Sequence, residues 1–319
     1  MTQINIVDAK QATDALVYSS LIDELAKGFA AGCVCPERHH HTIENVSEAD
    51  STLLLMPAWD YAQVGRRYLG IKLVTVCPGN NTRNLPGLTS TYILCDADTG
   101  QQLAFIDGNT ITARRTVATS ALGARFLSRE NSRKLLLIGS GKVASLVPDA
   151  YRAVRPIKEV AVWDINPVSA EQLVKSLNAS GFSAHLVDDL EREATNADII
   201  SAATLATDPI IHGEWLSKGT HVDLIGGFTP AMREADDTVM IRAAVYIDTP
   251  EALKEAGDLV EPIQKGVIAK QNILGTLREL CRHECEGRTS DDQITVFKAV
   301  GSSLADLVAA RMIYEKLGE

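Results

Sequence analysis

The sequence predicts an α/β chain, a Rossmann-type doubly wound parallel sheet joined to a second α+β domain. Three observations carry this. An apolar run over residues 134–138 ends in Gly139-Ser140-Gly141, with Ala144 three residues on. A second run, Val160 to Trp163, ends in Asp164. From Lys134 onward strand-like and helix-like stretches alternate, the signature of parallel strands with crossover helices.

Each part of the first observation has a physical meaning. Gly139 suits a tight strand-to-helix turn, Gly141 lets a pyrophosphate approach the backbone, and Ala144 keeps helix and strand close. Free N–H groups and the positive end of the helix dipole then face the phosphates. Asp164 is placed to accept both hydroxyls of the adenosine ribose. Its charge repels a 2′-phosphate and favours NAD(H), a preference Lys142 can soften. The expected cofactor is NADH or NADPH, held by Gly139, Ser140, Gly141, Lys142, Val143, Asp164, Thr204 and Gly226.

Composition narrows the partners. A chain of 319 residues is long enough for two domains. Its net charge of −10 argues against nucleic acid or an anionic membrane as the main partner. No apolar run reaches the length of a membrane span. The first ten residues lack the layout of a signal peptide. Six cysteines then read as reduced thiols of a cytoplasmic protein.

In chain order, residues 4–7 look like a short strand, and residues 9–31 carry apolar side chains at a helical period until Gly32. Cys33, Cys35 and His39 to His41 are metal-ligand types, but no matching second pair follows, so a loop beside a pocket and no metal is expected. Residues 51–57 and 68–76 are strand-like. Lys72 inside the second run is unusual, because burying an ammonium without a partner is costly; an exposed face of an edge strand is the alternative. Residues 78–86 form a polar turn, and residues 89–96 and 101–107 a hairpin around Asp98-Thr99-Gly100. Residues 110–125 read as a helix opening with Arg114 and Arg115. Either arginine is a solvated helix face or reaches an anion.

Strands are expected at residues 134–138, 160–163, 183–187, 198–203, 221–225, 244–247 and 295–299, and helices at residues 168–180, 189–196, 273–282 and 302–316. Residues 252–258 and 262–269 are shorter pieces. Gly226-Gly227-Phe228-Thr229-Pro230 lies at the C-terminal end of one strand, where ligands of such sheets bind. The dinucleotide domain therefore spans residues 114–299, and residues 1–113 with 300–319 make the second domain.

Several segments together resemble the ornithine cyclodeaminase/μ-crystallin family: Pro36-Glu37-Arg38, GIKLV with Lys72, the hairpin through Thr99-Gly100, ARRTVATSA leading into IGSGKVA, ADIISAAT, HVDLIGG and ITVFKAVGSSLADL. The resemblance implies a homodimer joined through the N-terminal domain, with the active site in the cleft beside the nicotinamide. It also implies a clamp for a substrate carboxylate at Arg38, Lys72 and Arg115, with Lys72 the catalytic residue. Arg115 and Thr116 would also touch the cofactor. A guanidinium fork holding both carboxylate oxygens, with a lysine as point charge, is chemically sensible.

One departure from the family matters. Its cyclodeaminases and alanine dehydrogenases place an acid/base aspartate where this chain has Phe228. Phenylalanine cannot shuttle protons. The GGFTP turn instead resembles that of the family's Δ1-pyrroline-2-carboxylate reductases. The expected activity is NAD(P)H-dependent reduction of the cyclic imines Δ1-pyrroline-2-carboxylate and Δ1-piperideine-2-carboxylate, to L-proline and L-pipecolate, with Phe228 and Thr229 lining the substrate site. A cyclodeaminase or alanine dehydrogenase activity, or a non-catalytic crystallin-like ligand-binding protein, is the alternative.

Overall fold

The computed structural model describes residues 4–62, 65–83 and 85–318. Asn84, in the polar turn expected over residues 78–86, lies outside them. The chain divides into two units: one runs up to Arg115 and resumes at Ser302, and the other is Thr116–Gly301.

The first unit is built on a six-stranded sheet, with strands β1 (Asn5–Val7), β2 (His39–Ile43), β3 (Ser51–Trp59), β4 (Tyr68–Val76), β5 (Leu88–Asp96) and β6 (Gln102–Asp107). Their order is β1-β6-β5-β4-β3-β2; β1 runs parallel to β6 and the other pairs are antiparallel. Asp96 turns the β5–β6 hairpin by accepting from the backbone N–H of Asp98 and of Thr99. Period-two alternation sorts the faces. Met56, Lys72, Tyr92 and Ile106 are register partners across four strands, and all are buried. The helix Ser303–Leu317 packs on β3, β4, β5 and β6 and against the helix Tyr18–Ala31.

The second unit holds an eight-stranded sheet: β7 (Lys134–Ile138), β8 (Glu159–Trp163), β9 (Ser183–Leu186), β10 (Ile199–Ala202), β11 (His221–Leu224), β12 (Ala244–Ile247), β13 (Ile273–Thr276) and β14 (Thr295–Lys298). Every pair is parallel, in the order β13-β12-β14-β11-β10-β7-β8-β9. Strands β10, β11 and β14 are buried at every position; β10 is mostly apolar, as a strand covered on both faces is expected to be, whereas β11 and β14 also bury His221, Asp223, Thr295 and Lys298. The strand order reverses between β7 and β10, the switch point at which ligands of doubly wound sheets bind.

Several elements differ from the sequence expectation, each for an identifiable reason. The single helix expected over residues 9–31 is two, Ala9–Ala15 and Tyr18–Ala31. Val17 is extended, and the Leu16 carbonyl freed at the break accepts two N–H bonds from the Arg114 guanidinium, at 2.9 and 2.7 Å. Residues 273–282 are the strand β13 and then a helix, Leu277–Cys281, opened by the capping box of Thr276 and Glu279. The histidine run, expected in a loop, forms the exposed strand β2, whose polar sequence carries no apolar alternation. After the glycine turn a short 3₁₀ stretch comes first, and the α-helix starts only at Val147, with Pro148 in its first turn.

Candidate functional site

In the first unit β4 lies between β3 and β5, so Lys72 stands inside the sheet and not on an edge strand. It is 2 % exposed. Its ammonium meets a carboxylate that sequence reasoning missed: Lys72 Nζ is 2.8 Å from Asp306 Oδ2. Arg115 Nε donates to Asp306 Oδ1 at 2.7 Å. Asp306 is wholly buried in the first turn of the helix Ser303–Leu317, where a carboxylate is favoured by the helix dipole.

The charges tune one another. Burial pushes the Lys72 ammonium down to about 8; Asp306 opposes this, while Arg115 and Arg38 add to it. Burial pushes the Asp306 carboxyl up, but Arg115 and Lys72 outweigh burial and hold it below the usual carboxylate range. Arg38, on the segment before β2, is partly buried and acts on Lys72 through its charge. The three expected cations thus belong to one electrostatic cluster, with Asp306 as its counter-charge. Such a dry, mostly cationic cluster is suited to a small carboxylate.

Two neighbours complete this region. Tyr92, opposite Lys72 in register, is fully buried, and its hydroxyl has no hydrogen-bond partner among the described residues. A Cβ at Gly70 would lie 2.1 Å from that hydroxyl, so glycine is required there. The paired arginines part company: Arg114 caps Leu16 and lies over the Tyr18 ring at 4.3 Å, whereas Arg115 joins the cluster. Among the described residues no group of three or more His, Cys, Asp and Glu side chains is placed to hold a metal.

In the second unit, Gly139 turns the chain at the end of β7 with φ +107°, and a Cβ there would meet the Ala203 carbonyl at 2.8 Å. Ser140 donates from both its backbone N–H and its hydroxyl to Asp164 Oδ2, each at 2.7 Å. The other Asp164 oxygen accepts from the Asn166 N–H. Gly141 faces open space. Lys142 is exposed, Val143 and Thr116 are partly buried. A groove of about 680 Å³ runs from Gly139, Ser140 and Gly141 past Asp164 to the loop after β10. Exposed Ile165 and Leu205 give it apolar walls, at 90 % and 76 % exposure. A glycine turn with room at Gly141, a carboxylate at the end of the second strand and apolar flanks fit a dinucleotide.

Beneath the Gly226-Gly227-Phe228-Thr229 turn lies a second buried charge network. Lys298 Nζ donates to the Gly226 carbonyl at 2.7 Å and stands 3.1 Å from Asp258 Oδ2. Asp258 Oδ1 accepts from the N–H groups of Glu234 and Ala235. Glu234 Oε1 accepts from the N–H and hydroxyl of Thr204. Lys298, Asp258 and Glu234 are all wholly buried. Burial, with help from Asp258, pushes Glu234 up to about 7, and Lys298 and Thr204 restrain it. The network ties the Thr204 loop to the Gly226 turn, two expected cofactor positions. Phe228 is 48 % exposed and Thr229 partly buried, with the Thr229 carbonyl accepting from Met232 and Gly257.

Residues 7–319 match the ornithine cyclodeaminase/mu-crystallin family. The chain belongs to that family. A Delta(1)-pyrroline-2-carboxylate reductase of Colwellia psychrerythraea is 35 % identical, over 99 % of this chain and 100 % of the relative. The fold is similar to that of Thermococcus litoralis Delta(1)-pyrroline-2-carboxylate reductase in complex with NADH and L-proline. That similarity has a TM-score of 0.90 and 28 % identity and covers 98 % of this chain and 97 % of the other. It is similar too to an archaeal alanine dehydrogenase dimer with bound NAD, with a TM-score of 0.89, 28 % identity, and 98 % and 95 % of the two chains covered.

Proposed function

We propose that the protein is a nicotinamide-dependent reductase of cyclic imines, converting Δ1-pyrroline-2-carboxylate to L-proline and Δ1-piperideine-2-carboxylate to L-pipecolate. The observation that carries this reading is the combination of the Lys72–Arg115–Asp306 cluster with a phenylalanine at position 228. The cluster suits a substrate with a carboxylate. Phe228 leaves no acid at the family's acid/base position, and a protonated cyclic imine, already a strong electrophile, needs orientation and hydride delivery more than a base.

In this reading Arg38, Lys72 and Arg115 grip the substrate carboxylate, with Lys72 the residue on which turnover most depends. Phe228 and Thr229 line the substrate site, the ring of Phe228 as an apolar wall for the methylenes. Gly139, Ser140, Gly141, Lys142 and Val143 border the pyrophosphate, Asp164 takes the adenosine ribose, and Thr116, Thr204, Gly226 and Arg115 complete the cofactor contacts. When bound, the reduced nicotinamide supplies the hydride that the imine carbon receives. The relatives named for Delta(1)-pyrroline-2-carboxylate, one of them with NADH and L-proline, support the assignment.

The test is one set of assays: both imines against NADH and NADPH, with ornithine alone and pyruvate with ammonia as controls. Oxidation of cofactor only in the imine wells is expected; no turnover of either imine overturns the reading. NADH is the expected better cofactor. Asp164→Ser, which removes the charge facing a 2′-phosphate, is expected to shift the NADPH/NADH ratio of kcat/KM toward NADPH by about tenfold or more, the scale of one charge repulsion of ~1.4 kcal/mol. An unchanged ratio removes Asp164 from cofactor selection.

The same reading includes a homodimer through the first unit. The sheet face away from Lys72 presents Ile6, Phe105, Ile93, Ile71 and Pro57 in one register row, with Ile6 at 80 % exposure. Unpaired apolar rows of this kind mark an interface, and the alanine dehydrogenase of similar fold is a dimer. Light scattering at twice the chain mass is the expected result, and a monomer at micromolar concentration overturns it.

A further inference from the structure

Asp306 has no place in the carboxylate clamp by charge, since a carboxylate repels another. Yet it is the best-buried member of the cluster and touches two of the three cations, Lys72 Nζ at 2.8 Å and Arg115 Nε at 2.7 Å. Its two oxygens are divided between them, one each, which fixes the spacing of the ammonium and the guanidinium relative to the same helix turn. We propose that Asp306 is a positioning residue for substrate: acting through Lys72 and Arg115, it holds both cations in place and keeps the lysine charged so that the site can bind a carboxylate. The inference rests on the reading that this cluster binds the substrate carboxylate.

The physical argument is a balance of charge. Lys72 is surrounded by Asp306 from the helix Ser303–Leu317, Arg115 from the helix Gly108–Leu127, Arg38 from the segment before β2, and Tyr92 from β5. Around the Tyr92 hydroxyl stand Asp306, Cys33, Cys35 and Asp60. Burial and two guanidinium groups all favour a neutral amine, and Asp306 favours the ammonium. Without it the lysine relieves its burial by losing its proton, and a neutral amine no longer attracts a carboxylate. A merely structural role would weaken the fold and leave the pH dependence of binding where it is.

The experiment measures binding of pyrrole-2-carboxylate, a ring carboxylate that is not an imine, to the protein with oxidised cofactor across pH 5.5–9.5. In the wild type, affinity is expected to fall as pH rises through about 8, the region in which Lys72 loses its proton. Asp306→Asn is expected to move that limb down by about one unit or more and to weaken binding at pH 7.5 at least tenfold. Asp306→Glu, which keeps the charge, is expected to keep the limb. An Asp306→Asn protein whose limb does not move, or an Asp306→Glu protein that moves it as far, overturns the proposal. Should Asp306→Asn not be recovered folded, the Lys72→Met/Asp306→Asn double variant, which carries no ammonium to balance, is compared with Lys72→Met alone. Affinities within about threefold support action through the lysine, and a further tenfold loss overturns it. Wild-type protein that binds the ring carboxylate but reduces no imine refutes the proposed function and leaves Asp306 to be judged by its limb. Wild-type protein that reduces the imine while Asp306→Asn leaves the limb in place refutes the Asp306 inference alone.

Discussion

Lys298→Met is expected to destabilise the protein by about 3–5 kcal/mol, the cost of leaving a buried charge without its partner. Lys298 is wholly buried, 3.1 Å from Asp258 and bonded to the Gly226 carbonyl. Methionine fills much of the same volume, so packing contributes little to the loss. What remains is Asp258 and Glu234, two buried carboxylates with no cation between them. Asp258 keeps the N–H groups of Glu234 and Ala235 as hydrogen-bond donors. Glu234 is the group that must take a proton, because burial already raises it to about 7 and the cation restraining it is gone.

The pH dependence follows with a definite sign. A carboxyl whose folded-state pKa is raised binds more protons folded than unfolded, so stability falls as pH rises from the ordinary range to the raised value. In the wild type that window runs from about 4.5 to about 7; in Lys298→Met its upper end moves higher. Urea unfolding at pH 6 and pH 8 is expected to show the larger deficit at pH 8. A deficit below about 1 kcal/mol, or one that is larger at pH 6, contradicts this account. The variant is also expected to weaken cofactor binding, since Lys298 holds the turn containing Gly226.

Much of the second unit was legible because its signals are local. Gly139, Gly141 and Asp164 are read within one strand–turn–helix–strand segment, and the parallel strands β7, β8 and β10 are mostly apolar, so they stand out without knowledge of their neighbours. Lys72 shows the opposite case. Whether a lysine in an apolar strand is exposed or buried depends on where the strand lies in the sheet, which is set by pairing with β3 and β5 and not by the run itself. The break at Leu16 is decided by Arg114, 98 residues away, and the partner of Arg115 is 191 residues away.

A usable signal was nevertheless present in both missed networks. Lys298 ends an apolar strand as Lys72 interrupts one, and Asp306 stands alone in the apolar stretch Leu304-Ala305-Asp306-Leu307-Val308. A charged residue in a segment otherwise fit for the core needs a buried partner of opposite sign. Pairing the chain's intruding lysines with its intruding acids would have brought Asp306 and Asp258 forward as candidates, though not shown which lysine each one meets. That assignment belongs to the tertiary structure.

Lys72→Met is expected to lower kcat/KM for the cyclic imine by on the order of 100-fold, with cofactor affinity within about twofold of wild type. A charge-assisted hydrogen bond to a carboxylate contributes about 1.5–3 kcal/mol, and ~1.4 kcal/mol is a factor of ten. Methionine removes the ammonium while keeping the length of the side chain, and Asp306 retains Arg115 as a partner. The fold is therefore expected to lose less than in Lys298→Met, about 1–3 kcal/mol. The pH profile carries the sharper distinction. A lysine whose folded pKa is lowered to about 8 is charged below that value, so wild-type kcat/KM for the imine is expected to fall as pH rises through about 8. That limb should be absent from the residual activity of Lys72→Met, because no group with that titration then faces the carboxylate. If the variant keeps both the rate and the limb, the carboxylate binds elsewhere and the cationic cluster is structural. If it loses the rate but keeps the limb, Lys72 orients the substrate while another group titrates.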